Sequence, residues 1–160
     1  MDREDRIAAL KQERDAVIVA HYYVNEDIQR IADYVGDSFK LSKIASTLDN
    51  QTIVFAGVQF MGESAKILAP EKTVLLPDPY ADCPMAHMVT QEFVDEVKAA
   101  QDDLAVVCYV NSTAEIKAWS DVCVTSSNAL QVVSALPQRN ILFIPDQNLG
   151  HYLAEQLPDK

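Results

Sequence analysis

Residues 16–38 read AVIVAHYYVNEDIQRIADYVGDS. Ala16–Ala20 is a short unbroken apolar run, the pattern of a strand buried on both faces. Asn25 then caps a helix whose first turn is acidic, with Glu26 and Asp27. Ile28, Ile31, Ala32 and Val35 supply its buried face, and a second helix follows from Ser38 through Leu41, Ile44, Ala45 and Leu48.

The same alternation extends outward. Residues 2–14 read as an amphipathic helix, with Ile7, Ala8, Leu10 and Lys11 on one face. Thr52–Ala56 and Lys72–Leu76 read as strands, with a helix at Phe60–Leu68 between them. Strands that alternate with helices imply an α/β fold with a layered parallel sheet. Residues 77–90, PDPYADCPMAHMVT, break the rhythm with three prolines and mark the domain boundary. Beyond it come helix 91–100, strand 104–108, helix 112–119, strand 121–124, helix 126–135, strand 140–144 and helix 148–157. The expectation is two similar three-layer αβα units with parallel sheets, residues 1–82 and 83–160.

The second half echoes the first. Tyr23-Val24-Asn25 matches Tyr109-Val110-Asn111 at an offset of 86. After a two-residue insertion, residues 33–72 match 121–160 at an offset of 88, with ten identities that include Asp33/Asp121, Ser38/Ser126, Gln59/Gln147 and Lys72/Lys160. Self-similarity at fixed spacing is the mark of a duplicated structural unit. Lys72 opens a strand, whereas its counterpart Lys160 is the last residue. The second unit is therefore expected to stop before its final strand, with an unpaired edge that proteins usually avoid. This predicts that the chain is part of something longer.

Composition narrows the function. The 160 residues are 49% hydrophobic and 23% charged, a globular balance. Against 24 acids stand 13 bases, a formal charge of −11 with no basic stripe. Nucleic acid and anionic membrane surfaces are disfavoured. Small anions would have to be held locally, by backbone N–H groups and hydroxyls. No apolar run approaches the ~18 residues of a spanning helix, and the charged N-terminus has no signal-peptide core, so a cytoplasmic chain is expected. Three cysteines, an odd count with no CxxC pair, argue against a disulfide framework. Cys108 and Cys123 lie in apolar strand-like runs and read as small core residues. Cys83 lies in the proline-flanked loop near Asp82 and His87, where a metal ligand or a nucleophile is open. Cys83-x3-His87 lacks the second ligand pair of a zinc site.

In parallel α/β units, ligands bind outside the carboxyl ends of the strands. That gathers His21, Tyr23 and Asn25; Gly36-Asp37-Ser38; Gly57, Gln59, Phe60 and Met61; and the Cys83 loop. The second unit offers Tyr109, Asn111, Ser112, Thr125, Ser126, Ser127, Asp146 and Asn148. Ser38 and Ser126 at helix N-termini suit a phosphate or carboxylate, or are plain N-caps. His21 suits a general acid, a base, a donor or a structural role. Tyr23 and Tyr109 are phenol acids, donors or wall residues.

Four segments carry a family resemblance: AHYYVNEDIQRIADYVGDS, IVFAGVQFMGESAKILAPEKTVLLPDPYADCPMA, YVNSTAEIKAWSDVCVTSSNA and ILFIPDQNLGHYLA. Together they resemble the quinolinate synthase family over nearly all of residues 17–157. The resemblance implies three similar α/β domains around a pseudo-threefold axis, with one central site. It implies a transferase of NAD biosynthesis that condenses iminoaspartate with dihydroxyacetone phosphate to quinolinate, losing phosphate and water. It also implies a 4Fe–4S cluster on three cysteines, one per domain, whose open iron is a Lewis acid. Cys83 would be the first ligand and the other two would lie beyond Lys160; Cys108 and Cys123 match no cluster position. Carried over, His21 and Ser38 bind substrate carboxylate or phosphate, and Tyr23 is a mobile proton donor or acceptor over the cluster. Tyr109 and Asn111 hold the intermediate and assist proton transfer, Ser126 binds an anion, and Phe60 and Met61 line the pocket. The implied protein partners are a second copy, as a homodimer, and a supplier of iminoaspartate, an L-aspartate oxidase or dehydrogenase. With Cys83 alone, the chain by itself is expected to be inactive. Two other readings are a cluster-free module that binds phosphorylated metabolites and a partner protein that pairs through its open sheet edge.

Overall fold

A computed structural model describes residues 2–160 and turns each apolar run into a parallel strand. The chain divides into two units, Met1–Asp82 and Cys83–Lys160. The first runs α1 (Arg3–Glu13), β1 (Ala16–His21), α2 (Glu26–Ile31), β2 (Tyr34–Gly36), α3 (Ser38–Thr47), β3 (Thr52–Ala56), α4 (Gln59–Leu68) and β4 (Thr73–Leu75). Its four-stranded sheet has the order β2-β1-β3-β4. After a 3-10 turn at Pro84–His87, the second unit runs α5 (Gln91–Ala100), β5 (Leu104–Tyr109), α6 (Ala114–Ala118), β6 (Val122–Val124), α7 (Ala129–Ala135), β7 (Asn140–Ile144) and α8 (Gln147–Gln156). Its three strands have the order β6-β5-β7.

The layers follow from the alternation of side chains along each strand. In the second unit, Val106, Cys108 and Ile144 pack with Val94 of α5 and Ile116 of α6. Val107 and Val124 face the other way, onto Val133 of α7 and Leu153 of α8. In the first unit α1 and α2 pack on β1, where Ile7, Leu10, Ile28 and Ile31 line one cavity with Ile18, while α3 packs on β1 and α4 on β4. Residues 17–20 of β1 are all buried, so the strand reads as apolar without a break.

An aspartate clamps each central strand. The Asp33 N–H donates to the Ile18 carbonyl at 2.8 Å, and the Asp33 carboxylate accepts from the Ile18 N–H at 2.8 Å. Asp121 does the same to Val106, at 2.9 and 2.8 Å. These contacts extend the β1–β2 and β5–β6 ladders by one rung. They also account for a strand absent from the sequence reading. Val35 was assigned to the face of a helix, but α2 ends at Ile31 and Tyr34–Gly36 forms β2. Ala32 is already extended (φ −76°, ψ 146°), which lets Asp33 reach Ile18.

The repeat is gapless at 88. Val19 pairs with Tyr34 and Val107 with Val122; Ala16 pairs with Thr52 and Leu104 with Asn140. The N-cap positions Asn25 and Thr113 are also 88 apart. The Tyr-x-Asn match at 86 is therefore not a structural equivalence: Tyr109 occupies the rung of His21, opposite Val124 as His21 is opposite Gly36. Other equivalences hold in detail. Lys72, buried, donates to the carbonyls of Leu48 and of Asn50 (3.0 Å). Lys160 donates to those of Leu136 (2.5 Å) and Gln138 (2.9 Å). Each ammonium closes the C-terminal end of a helix, α3 or α7, where cations are favoured. Asp15 and Asp103 both adopt positive φ, 45° and 53°, and accept from the N–H of Gln51 and Arg139 respectively.

Asp121→Ala is expected to lower stability by about 1–3 kcal/mol, because the Val106 N–H loses its acceptor beneath α5 and α6. Asp33→Ala should cost a similar amount; its exposed ion pair with Lys11 adds little. Urea unfolding followed by circular dichroism measures both, and unchanged midpoints would show that water replaces the carboxylates.

Candidate functional site

In the first unit the carboxyl ends of the strands open into a cleft of about 390 Å³. His21 and Tyr23 enter from the end of β1, Gly57 and Met61 from the β3–α4 junction, and Asp78 and Ala81 from the loop after β4. The loop is tied down where Gln59, at the start of α4, donates its N–H to the Ala81 carbonyl at 2.9 Å. Val58, the N-cap of α4, supplies no side-chain cap, and the loop carbonyl takes that place. Gly57 is needed for space: a Cβ there would lie 3.0 Å from Met61 Sδ and 3.1 Å from Phe55 Cε1.

His21 is 4% exposed and its ring stacks on Tyr22, with centroids 4.5 Å apart and planes at 25°. Tyr23 lies 4.6 Å away and is 79% exposed. The Tyr23 backbone N–H donates to His21 Nδ1 at 3.2 Å. Nδ1 is thus an acceptor, and the neutral ring carries its proton on Nε2. Burial holds the His21 pKa below the ordinary imidazole value, and the nearby Asp37 carboxylate offsets this only in part. The ring is a neutral hydrogen-bond donor near pH 7.

Ser38 does not line the cleft. It is the first residue of α3, and the cap itself is Asp37, whose carboxylate accepts from the Lys40 N–H at 2.8 Å. An anion at this helix end meets a carboxylate already in place, so Ser38 contributes a half-buried hydroxyl rather than an open N-terminus. Asn25 holds the N-cap position of α2 without a side-chain cap bond. Met61 lines the cleft as expected, but Phe60 is buried in the core at 1% exposure.

In the second unit, Tyr109 ends β5 half-buried, with its carbonyl accepting from Ser112 Oγ at 2.9 Å and Cys108 Sγ at 3.3 Å. Asn111 follows in the β5–α6 turn, half-buried. Ser126 is not at a helix N-terminus as the sequence suggested. It is exposed in a turn, because Asn128 Oδ1 accepts from the Thr125 N–H at 2.7 Å and delays α7 to Ala129. Cys83 is half-buried and precedes the Pro84–His87 turn. Cys108 is in the core as expected, but Cys123 is exposed. Among the described residues no group of three or more His, Cys, Asp or Glu is placed to hold a metal ion, and no helix is long and apolar enough to cross a membrane.

The fold and cleft define a parallel α/β protein with its polar side chains gathered at strand carboxyl ends, the usual place for small-molecule chemistry in such sheets. The family model for quinolinate synthetase A protein matches residues 5–160, and the chain belongs to that family. It is 59% identical over 157 residues to a quinolinate synthase of Fusobacterium nucleatum, covering 98% of this chain and 53% of the relative. It is 54% identical over 160 residues to one of Clostridium perfringens, covering 100% of this chain and 53% of the relative. It is 52% identical over 154 residues to one of Caldicellulosiruptor saccharolyticus, covering 96% and 51%. The chain spans about half the length of these relatives.

The lowered pKa of His21 carries a sign. The unfolded ring titrates near 6.5, so as pH falls the unfolded chain takes up its proton before the folded one does. The contribution of His21 is present above pH ~6.5 and is lost as pH falls through the lowered folded value. Denaturant unfolding at several pH values should show the native chain losing stability below pH ~6.5 more steeply than His21→Gln. Parallel slopes for the two would mean that the imidazole is not desolvated.

Proposed function

We propose that the chain forms the first two α/β units of a quinolinate synthase, residues 1–82 and 83–160. In this reading the whole enzyme is a transferase of NAD biosynthesis that condenses iminoaspartate with dihydroxyacetone phosphate and releases phosphate and water. The observation that carries it is family membership across residues 5–160. The cleft of the first unit supports it chemically. Both substrates are anions and the chain carries −11, so binding depends on local donors rather than on net charge. His21 Nε2–H donates to a substrate carboxylate or phosphate as a neutral group, and Ser38, outside the cleft lining at the start of α3, would have to reach an anion through its half-buried hydroxyl. Tyr23, at the mouth of the cleft, has the freedom of a proton donor and acceptor that moves with the substrate. Tyr109 and Asn111 hold the intermediate, and Ser126 binds an anion through its exposed hydroxyl.

Cys83 suits one ligand of a 4Fe–4S cluster: a half-buried thiol in an irregular loop, outside any strand or α-helix. It fits as one ligand of three, and among the described residues no group of three or more His, Cys, Asp or Glu is placed to complete a metal site. The remaining two ligands then come from outside these 160 residues. When bound, the cluster supplies an open iron that acts as a Lewis acid in the dehydration. The iminoaspartate comes from an L-aspartate oxidase or dehydrogenase, which makes the unstable imine, and the enzyme works as a homodimer in the cytoplasm.

Anaerobic iron–sulfur reconstitution with iron counting and a synthase assay tests the reading. The 160-residue chain is expected to hold no stable cluster and show no activity. A chain extended past Lys160 should gain both, and lose the cluster on Cys83→Ala. A stable cluster on the 160-residue chain would overturn the ligand assignment. Binding of dihydroxyacetone phosphate with no activity in the extended chain would favour a cluster-free metabolite-binding module.

A further inference from the structure

Cys108 and Cys123 are direct register partners on the neighbouring parallel strands β5 and β6. Neighbouring strands run about 4.8 Å apart, and a disulfide spans Cα atoms about 4.4–6.8 Å apart. Residues paired in register project from the same face of a sheet. Here it is the face of α5 and α6, where Cys108 packs with Val94 and Ile116. The two thiols are close enough for each to shift the other's titration. Their environments differ: Cys108 is 0% exposed, whereas Cys123 is exposed beside the five-residue α6.

We propose that Cys108 and Cys123 form a redox-active dithiol that closes to a cross-strand disulfide by exchange with an oxidised low-molecular-weight disulfide. The exposed Cys123 sulfur attacks the external disulfide, forming a mixed disulfide and expelling one small thiolate. Cys108 Sγ then attacks Cys123 Sγ, forms the internal S–S bond and expels the second. The two protons lost by the protein thiols pass to the two released thiolates; the dithiol is oxidised by two electrons and the external disulfide is reduced by two.

The electrostatics favour proton loss at Cys108, so access rather than acidity makes Cys123 the first to attack. The interaction with Cys123 pulls the Cys108 thiol down to about 7 against the opposing effect of burial, helped by the Ser112 and Ser120 hydroxyls and the Lys117 ammonium; the same interaction and burial push the Cys123 thiol up, so Cys123 passes its proton to Cys108 as it attacks. A proton shared between two sulfurs gives each of them thiolate character in turn. The bond ties β5 to β6 one residue before Tyr109 and Val124. It fixes the rung from which Tyr109 and the turn at Ser126 leave the sheet.

Peptide mapping tests the pair without a loss-of-fold ambiguity. The reduced chain is incubated with oxidised glutathione, alkylated in denaturant and digested with trypsin. Cleavage after Lys98, Lys117 and Arg139 leaves Cys108 on residues 99–117 and Cys123 on residues 118–139. The expected main product is these two peptides joined, lighter by two hydrogens than their sum. Cys123→Ser, a change at an exposed position, should abolish it and leave Cys108 free for alkylation. Accumulation of a glutathione adduct on Cys123 with Cys108 alkylated, linkage only through Cys83, or no oxidation at all would each overturn the proposal.

Discussion

Each unit depends on one strand that is bonded along both edges. β1 is paired with β2 and β3, and β5 with β6 and β7. Residues 17–20 and 105–108 are buried without interruption. A polar side chain inside such a strand would lose its water without a partner, at a cost of about 1–3 kcal/mol or more. Chemistry is therefore pushed to the first positions past the buried run. In one unit His21 is the last buried residue of the strand, with Tyr22 and Tyr23 just past it; in the other Tyr109 to Asn111 stand there. The aspartate clamps serve the same strands from the side. By holding both backbone groups of Ile18 and Val106, they close the ladder where β2 and β6 are too short to do so.

Those central strands were legible because continuous apolar runs have few other interpretations. β2 was not, because Ala32 and Val35 also fit a helical period, and three residues are too few to show alternation. The equivalent segment 121–124 reads as a strand, so the repeat held the correction. The same repeat misled at Tyr23 and Tyr109. An identical tripeptide suggested an offset of 86, yet register is set by backbone hydrogen bonds, and these keep to 88 through the strand pairs that the two units share. Side-chain identity records what a position presents, not which rung it occupies. Ser126 shows the limit from the other direction. Its offset is right, but Asn128 bonds back to Thr125 and postpones the helix that Ser38 begins.

Within the site, the strand-end residues were legible and the lining supplied by the loop was not. Asp78 and Ala81 enter the cleft because the chain folds back to the start of α4, and nothing local to a proline-rich stretch encodes that return. Phe60 and Met61 are neighbours on one helix, so they cannot share a direction; only contact with the sheet decides which faces the cleft. Cys123 sits in an apolar run, but α6 is one turn long and leaves it uncovered. Burial there depends on the length of a neighbouring element, which the strand's own sequence does not contain.

The state of His21 is decided by a competition between burial and one carboxylate. Asp37 is close enough to favour the imidazolium, yet burial is the larger influence. Asp37 is also engaged elsewhere, as the N-cap that accepts from Lys40. A carboxylate shared with a helix N-terminus has part of its charge already balanced by that end of the macrodipole, and it pulls less on a neighbouring ring. The Tyr23 N–H completes the arrangement by occupying Nδ1, which adding a proton there would break. A neutral donor with a fixed tautomer is well matched to an acidic chain. It offers one directed hydrogen bond to an anion, and it does so without an ionised imidazole that the same burial would penalise.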